Sequence, residues 1–146
     1  MNYILDTNVI SELVASQPDP NVTRWIESVD PQTVYLSVIT VGELKKGIEK
    51  MPDSRRKTVL EAWLINDLLV RFQDHLLPID TSVMLTWGSL VAHMGAIGKP
   101  MPAIDSLIAA TTLNSGCTLA TRNVGDFEHA GISFFNPWDY QEAQSS

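Results

Sequence analysis

The stretch NYILDTNVISEL, residues 2–13, decides how the whole chain is read. Its apolar run Tyr3 to Leu5 has the length and the polar borders of a short buried strand. The run delivers a carboxylate, Asp6, into the polar triplet Asp6, Thr7, Asn8, and an apolar helix-like pattern follows. A strand that leads into a helix opens a β–α unit. In open parallel sheets ligands bind beyond the carboxyl ends of the strands, so Asp6 has two readings: a cap for the first helix, or part of a site.

Working outward, short apolar runs recur at Val34 to Leu36, His75 to Ile79, Thr118 to Ala120 and Ser133 to Phe135. Between them lie helical patterns at Asn8 to Val14, Asn21 to Ser28, Thr40 to Lys50, Arg55 to Phe72, Ser82 to Ile97 and Ala103 to Asn114. Pro18 and Pro20, the MPD of 51–53 and the GKPMP of 98–102 fall at the borders. Strands alternating with helices predict an α/β fold, a mainly parallel sheet of about five short strands flanked by helices. In the long fourth helix Val59, Leu60, Trp63, Leu64, Leu68 and Leu69 sit at helical spacing, so Trp63 is read as packing.

The chain has 146 residues, 45% hydrophobic and 18% charged, which fits one globular domain with a core of its own. That domain is expected over 1–140, with 141–146, QEAQSS, as a disordered tail. No apolar run is long enough to cross a bilayer, and no basic stretch followed by an apolar segment opens the chain. With Cys117 as its one cysteine, an intramolecular disulfide is excluded and a cytoplasmic protein without membrane contact is expected. Cys117 itself reads as a small buried hydrophobe.

A net charge of −7 argues against holding nucleic acid by charge alone. Carboxylates gathered around a divalent ion also make a chain acidic, and such an ion bridges to phosphate. The cations Lys45, Lys46, Lys50, Arg55, Arg56 and Lys57 fall in one segment, read either as a solvated helix face or as a contact for a polyanion.

Four acidic positions stand near the ends or starts of predicted elements: Asp6, Glu43 in TVGELKKGI, Asp105 in PMPAIDSLIAATTL, and Asp126 in TLATRNVGDF. Each has a bland explanation. Asp6 caps a helix, and Asp105 serves a helix start entered through Pro102. Glu43 projects away from the stripe of Val41, Leu44 and Ile48 and pairs on the surface with Lys46. Asn123 and Asp126 are ordinary turn residues.

Together, however, ILDTNVISEL, LSVITVGELKKGI, AIDSLIAATTL, LATRNVGDF and the closing FNPW resemble a PIN-domain ribonuclease of the VapC toxin family, FitB-like branch, in order and over nearly the whole chain. The resemblance implies a PIN-like fold and a toxin of a toxin–antitoxin pair: a metal-dependent endoribonuclease that cuts structured RNA, such as transfer RNA, leaving a 5′-phosphate and a 3′-hydroxyl. It implies that Asp6, Glu43 and Asp105 hold Mg²⁺ or Mn²⁺, with Asp126 as the fourth carboxylate and Asn123 as a neutral neighbour where some relatives carry aspartate. Thr7, Asn8 and Thr121 become groups that orient the carboxylates. Lys45, Lys46 and Arg122 are candidate RNA contacts. The implied partners are a cognate VapB- or FitA-like antitoxin, the RNA substrate, and a second copy in a homodimer or larger toxin–antitoxin assembly.

The chemistry is consistent with acids alone. A hard divalent cation bound by carboxylates activates water and relieves charge on the leaving oxygen, so His75, His93 and His129 are read as structural or surface residues. Two like charges about 4 Å apart repel by roughly 4 kcal/mol at an effective dielectric of about 20, so such a cluster requires a metal, proton uptake or an arginine from a partner. Two rivals stand beside this reading. A haloacid dehalogenase-type phosphatase also begins strand-to-aspartate but wants a second acid where Asn8 stands, and an amide cannot transfer a proton. A non-catalytic antitoxin- or RNA-binding module of the same fold is the other, favoured by Asn123.

Overall fold

The computed structural model describes residues 1–142; the expected tail therefore falls largely outside the described residues, at 143–146. Five strands, β1 (Tyr3–Leu5), β2 (Val34–Ser37), β3 (Leu76–Leu77), β4 (Thr118–Ala120) and β5 (Ser133–Phe135), form one sheet in the order β3-β2-β1-β4-β5. Every pairing is parallel. The register sets Ile4 against Tyr35 on one side and Leu119 on the other. The chain builds outward from β1 through β2 to β3 and then crosses back to lay β4 on the other side of β1. That change of direction leaves a crevice at the carboxyl ends of β1 and β4.

The helices are α1 (Thr7–Leu13), α2 (Pro20–Ser28), α3 (Val38–Glu49), α4 (Arg55–Trp63), α5 (Leu69–Arg71), α6 (Thr81–Ala96), α7 (Ala103–Ser115) and α8 (Val124–Phe127). Alternation along the strands sends side chains to opposite faces, and the core is split accordingly. On one face Leu5, Leu36 and Ala120 meet Val9 and Ile10 of α1, Trp25 of α2 and Leu44 of α3. On the other, Ile4 and Leu119 meet Val83, Leu90 and Met94 of α6, Ile108 of α7 and Phe127 of α8. Cys117 is buried in this second cluster, as expected.

Several borders differ from the sequence reading, each for a local reason. Helix α1 starts at Thr7 and α3 at Val38, two residues before Thr40, because the side chains of Asp6 and Ser37 cap them. Strand β3 is only Leu76–Leu77 rather than His75 to Ile79. The predicted helix from Arg55 to Phe72 is interrupted by a π turn, Leu64–Leu68, in which the Leu69 N–H reaches back to the Leu64 carbonyl. Helix α8 and the 3₁₀ turns Pro31–Thr33 and Pro137–Asp139 lie where only loops were expected. Among the described residues no helix is long and apolar enough to cross a membrane.

Three of the six cations of the basic segment, Lys45, Arg56 and Lys57, are committed to contacts within the fold. Lys45 pairs with Glu49 at 2.7 Å on an exposed face. Lys57 donates to the carbonyls of Glu49 and Met51 past the end of α3, and Arg56 to that of Val14. These are the contacts of a solvated helix face. His75 stacks beside Tyr35, with ring centroids 4.7 Å apart, and Trp63 packs on the first core cluster.

Candidate active site

At the carboxyl end of β1 the backbone N–H of Asp6 still bonds the Ala120 carbonyl, at 2.9 Å, so the sheet itself positions this residue. Its side chain then turns to cap α1. Oδ1 accepts from the Thr7 N–H at 2.8 Å, while Oδ2 accepts from the Thr121 hydroxyl at 2.8 Å and lies 3.5 Å from the Asn8 amide nitrogen. Asp6 is therefore a cap, and it also lines a cavity of about 470 Å³ together with Glu43 and Asp105.

Thr121, fully buried, is the hinge of this arrangement. Its one proton goes to Asp6, and its oxygen accepts from the Asn123 N–H at 3.0 Å and the Asn8 amide at 3.4 Å, which fills the bonding capacity of a hydroxyl. Asn8 completes the clasp by accepting the Arg122 N–H at 3.2 Å. The loops that follow β1 and β4 are thus tied together just where Asp6 enters the cavity.

Glu43 departs from the surface reading. It is half-buried and accepts from the Thr7 hydroxyl at 2.6 Å; Thr7 also lies 3.2 Å from the buried Thr40 hydroxyl. The direction of α3, fixed by the Ser37 cap, carries Glu43 over the end of β1, which a helical wheel of α3 alone does not contain. Asp105 enters from the first turn of α7, behind Pro102.

Asp126 lies in the first turn of α8 and lines an adjoining hollow with Lys99 and His129, whereas Asn123 lines the acid cavity itself. Of the candidate RNA contacts, Arg122 lines the cavity; Lys45 and Lys46 stand on exposed α3 outside its lining. Five lining residues, Ser11, Glu12, Ala15, Ile108 and Trp138, were not singled out from the sequence. Glu12 faces the cavity and accepts the Asp19 N–H at 3.0 Å, and Trp138 closes one wall. Glu12 was legible in principle, because Asn8, Ser11, Glu12 and Ala15 recur at helical spacing and all line the cavity.

The electrostatics register the crowding. Burial pushes the Asp6 carboxyl above its ordinary value, the Thr121 and Thr7 hydrogen bonds pull it back, and the charges of Glu43 and Asp126 push it up again. The Asp105 carboxyl is also raised, first by burial and then by Asp126, Asp6 and Glu43. The charges of Glu43 and Asp126 thus reach both Asp6 and Asp105, although the acids come from separate elements. Among the described residues no three His, Cys, Asp or Glu side chains are placed to hold one ion together. The donors are nevertheless all carboxylate oxygens, the set a hard divalent cation takes, and Mg²⁺ is commonly held by one or two carboxylates with water in its other positions. A second cavity, of about 480 Å³, is lined mainly by apolar residues such as Leu13, Ile26, Trp63 and Phe72 and contains no carboxylate.

Comparison with known proteins bears on the family and the fold. The profile of the PIN domain matches residues 3–132. The chain is 39% identical over 136 residues to VapC ribonuclease Y4jK of Sinorhizobium fredii, covering 93% of this chain and 97% of the relative. It is 38% identical to toxin FitB of Neisseria gonorrhoeae, covering 92% of this chain and 97% of the relative. The solved structure of FitAB bound to an IR36 DNA fragment superposes with a TM-score of 0.90 at 36% identity, covering 98% of this chain and 99% of that one.

Proposed function

The chain belongs to the PIN-domain family, and from that premise we propose that it is a divalent-metal-dependent endoribonuclease and the toxin of a toxin–antitoxin pair. The observation that carries the reading is the convergence of Asp6, Glu43 and Asp105, from β1, α3 and α7, on one cavity at the switch point of the sheet. The names of the relatives, ribonuclease and toxin, support the activity, and the FitAB complex supports a FitA-like antitoxin as partner.

Asp6 and Asp105 are the residues that would hold Mg²⁺ or Mn²⁺, with Asp126 at the rim. A divalent ion supplies positive charge against the phosphodiester and makes a water easier to deprotonate. The chain's own groups do the rest. Thr121 and the Thr7 N–H fix the Asp6 carboxylate, so that both of its oxygens are aimed by the scaffold. Glu43, held by the Thr7 hydroxyl, faces the same space and orients a water for attack. The surplus negative charge also suits inhibition by an arginine donated by the antitoxin. Asn8 is tied at both ends of its amide, which leaves no general acid where a phosphatase of the dehalogenase type needs one.

The test is sequencing of the 5′ ends of fragments made when the purified protein meets total RNA with Mg²⁺, with Mn²⁺ and with a chelator. Discrete new ends bearing 5′-phosphates are expected with metal and not with chelator, and they name the RNA, transfer RNA or another. Asp6→Asn and Asp105→Asn remove them. Fragments produced at the parent rate by either folded variant refute the assignment, and RNA binding without any new end supports the non-catalytic module.

A further inference from the structure

We propose that Trp138 and Arg122 form a nucleotide subsite beside the acid cavity: a base of the RNA stacks on the Trp138 ring as Arg122 leaves that ring to hold the adjoining phosphate. This rests on the ribonuclease reading and adds to it how the substrate is seated.

The starting difficulty is charge. Asp6, Glu12, Glu43 and Asp105 all line the cavity, and a phosphodiester brought there meets their repulsion. Among the described residues of that lining, Arg122 alone is cationic. It is not spent on a carboxylate: the salt bridges among the described residues are Lys45 with Glu49 and Lys57 with Asp53. Instead its guanidinium carbon stands 5.2 Å from the centroid of the Trp138 ring. An exposed cation–π contact is weak, whereas an arginine bonding phosphate oxygens makes charge-assisted, frequently bidentate hydrogen bonds. The exchange of ring for phosphate is therefore downhill. Only the side chain has to move, because the Arg122 N–H is anchored on Asn8.

Trp138 is built as a fixed plate. Its backbone N–H donates to Asn136 Oδ1 at 2.9 Å, its carbonyl accepts from the Asn21 amide at 2.8 Å, and its side chain packs against the first core cluster while remaining part-exposed. A rigid aromatic face with little entropy left to lose is the usual platform for an unstacked RNA base, and it accepts any base because every base has a π-face. Departure of the guanidinium uncovers that face beside the phosphate the guanidinium has taken.

The experiment uses the full chain carrying Asp105→Asn, so that bound RNA is not cut, at low salt with Mg²⁺. Two labelled probes are compared by fluorescence anisotropy: a uridine oligomer of about 12 nucleotides, within the span of single-strand sites, and a ribose-phosphate oligomer of the same length without bases. The expected result is about tenfold tighter binding of the uridine oligomer. Trp138→Leu brings the two probes to equal affinity, and Trp138→Phe keeps most of the difference. Arg122→Gln weakens both probes and lowers the slope of log affinity against log salt by about one. A purely structural clamp between Arg122 and Trp138 does not move the ratio between probes. A folded Trp138→Leu that keeps the parent's preference overturns the subsite, as does a parent with none. Should Trp138→Leu not fold, Arg122→Gln binding both probes as tightly as the parent overturns it. Binding of neither probe by the parent also overturns the subsite, whereas the ribonuclease reading stands or falls on the 5′-end sequencing of total RNA.

Discussion

Asp6 does two jobs that pull in opposite directions, and Thr121 reconciles them. A carboxylate at 7% exposure is costly when charged, and the hydroxyl of Thr121 is the largest influence that eases it. Thr121→Val keeps the shape but strips Asp6 of that donor and Asn123 of its acceptor. It is expected to destabilise the fold by about 1–3 kcal/mol, read by urea unfolding, whereas Thr121→Ser loses much less. Asp105 gives a pH test. Its folded carboxyl is raised above the ordinary aspartate value of 3.8, so without metal its penalty is absent below that value, grows as pH rises past it, and is full above the folded value. Asp105→Asn therefore raises Tm at pH 7 in chelator, and the gain disappears as pH falls toward 3.8. A gain that persists in acid rules out charge as its source.

Among the elements, α3 shows how a helix transmits position. The buried Ser37 hydroxyl accepts the Ile39 N–H at 3.1 Å and starts the helix directly at the end of β2. Ser37→Ala is expected to cost about 0.5–2 kcal/mol and, by loosening the start of α3, to lower RNA cleavage through Glu43. Unchanged cleavage in the folded variant removes that link. The π turn has its own reason. Leu60, Leu64, Leu68 and Phe72 all meet the first core cluster at a strict spacing of four, which drifts by about 120° around an ideal α-helix. One extra residue in the π turn takes up about 100° of that drift. The spacing was visible in the sequence, but a four-residue repeat is also what a tilted α-helical stripe looks like, and the packing of all four side chains on one core cluster is what the rephasing serves.

At the scale of the molecule, four acids drawn from distant parts of the chain, Asp6, Glu12, Glu43 and Asp105, line one crevice that the parallel strand order creates. Filling that crevice with a divalent ion stabilises the folded state by about 2.7 kcal/mol at a hundred times the dissociation constant. A rise in Tm with Mg²⁺ or Mn²⁺ is expected, reversed by chelator and lost in Asp6→Asn; an equal rise in that variant places the ion elsewhere. The sequence by itself determined the alternation of strands and helices, the burial of Cys117 and, through ordered motifs, the family and its acidic positions. Those features are local: strand and helix periodicity, caps and short motifs are written in neighbouring residues. Tertiary structure alone decided that Glu43 turns inward to Thr7, that Asp126 stands at the rim while Asn123 lines the cavity, and that Glu12, Arg122 and Trp138 share its walls. Each depends on the angle at which one element crosses another, and that angle is set by packing between residues far apart in the chain.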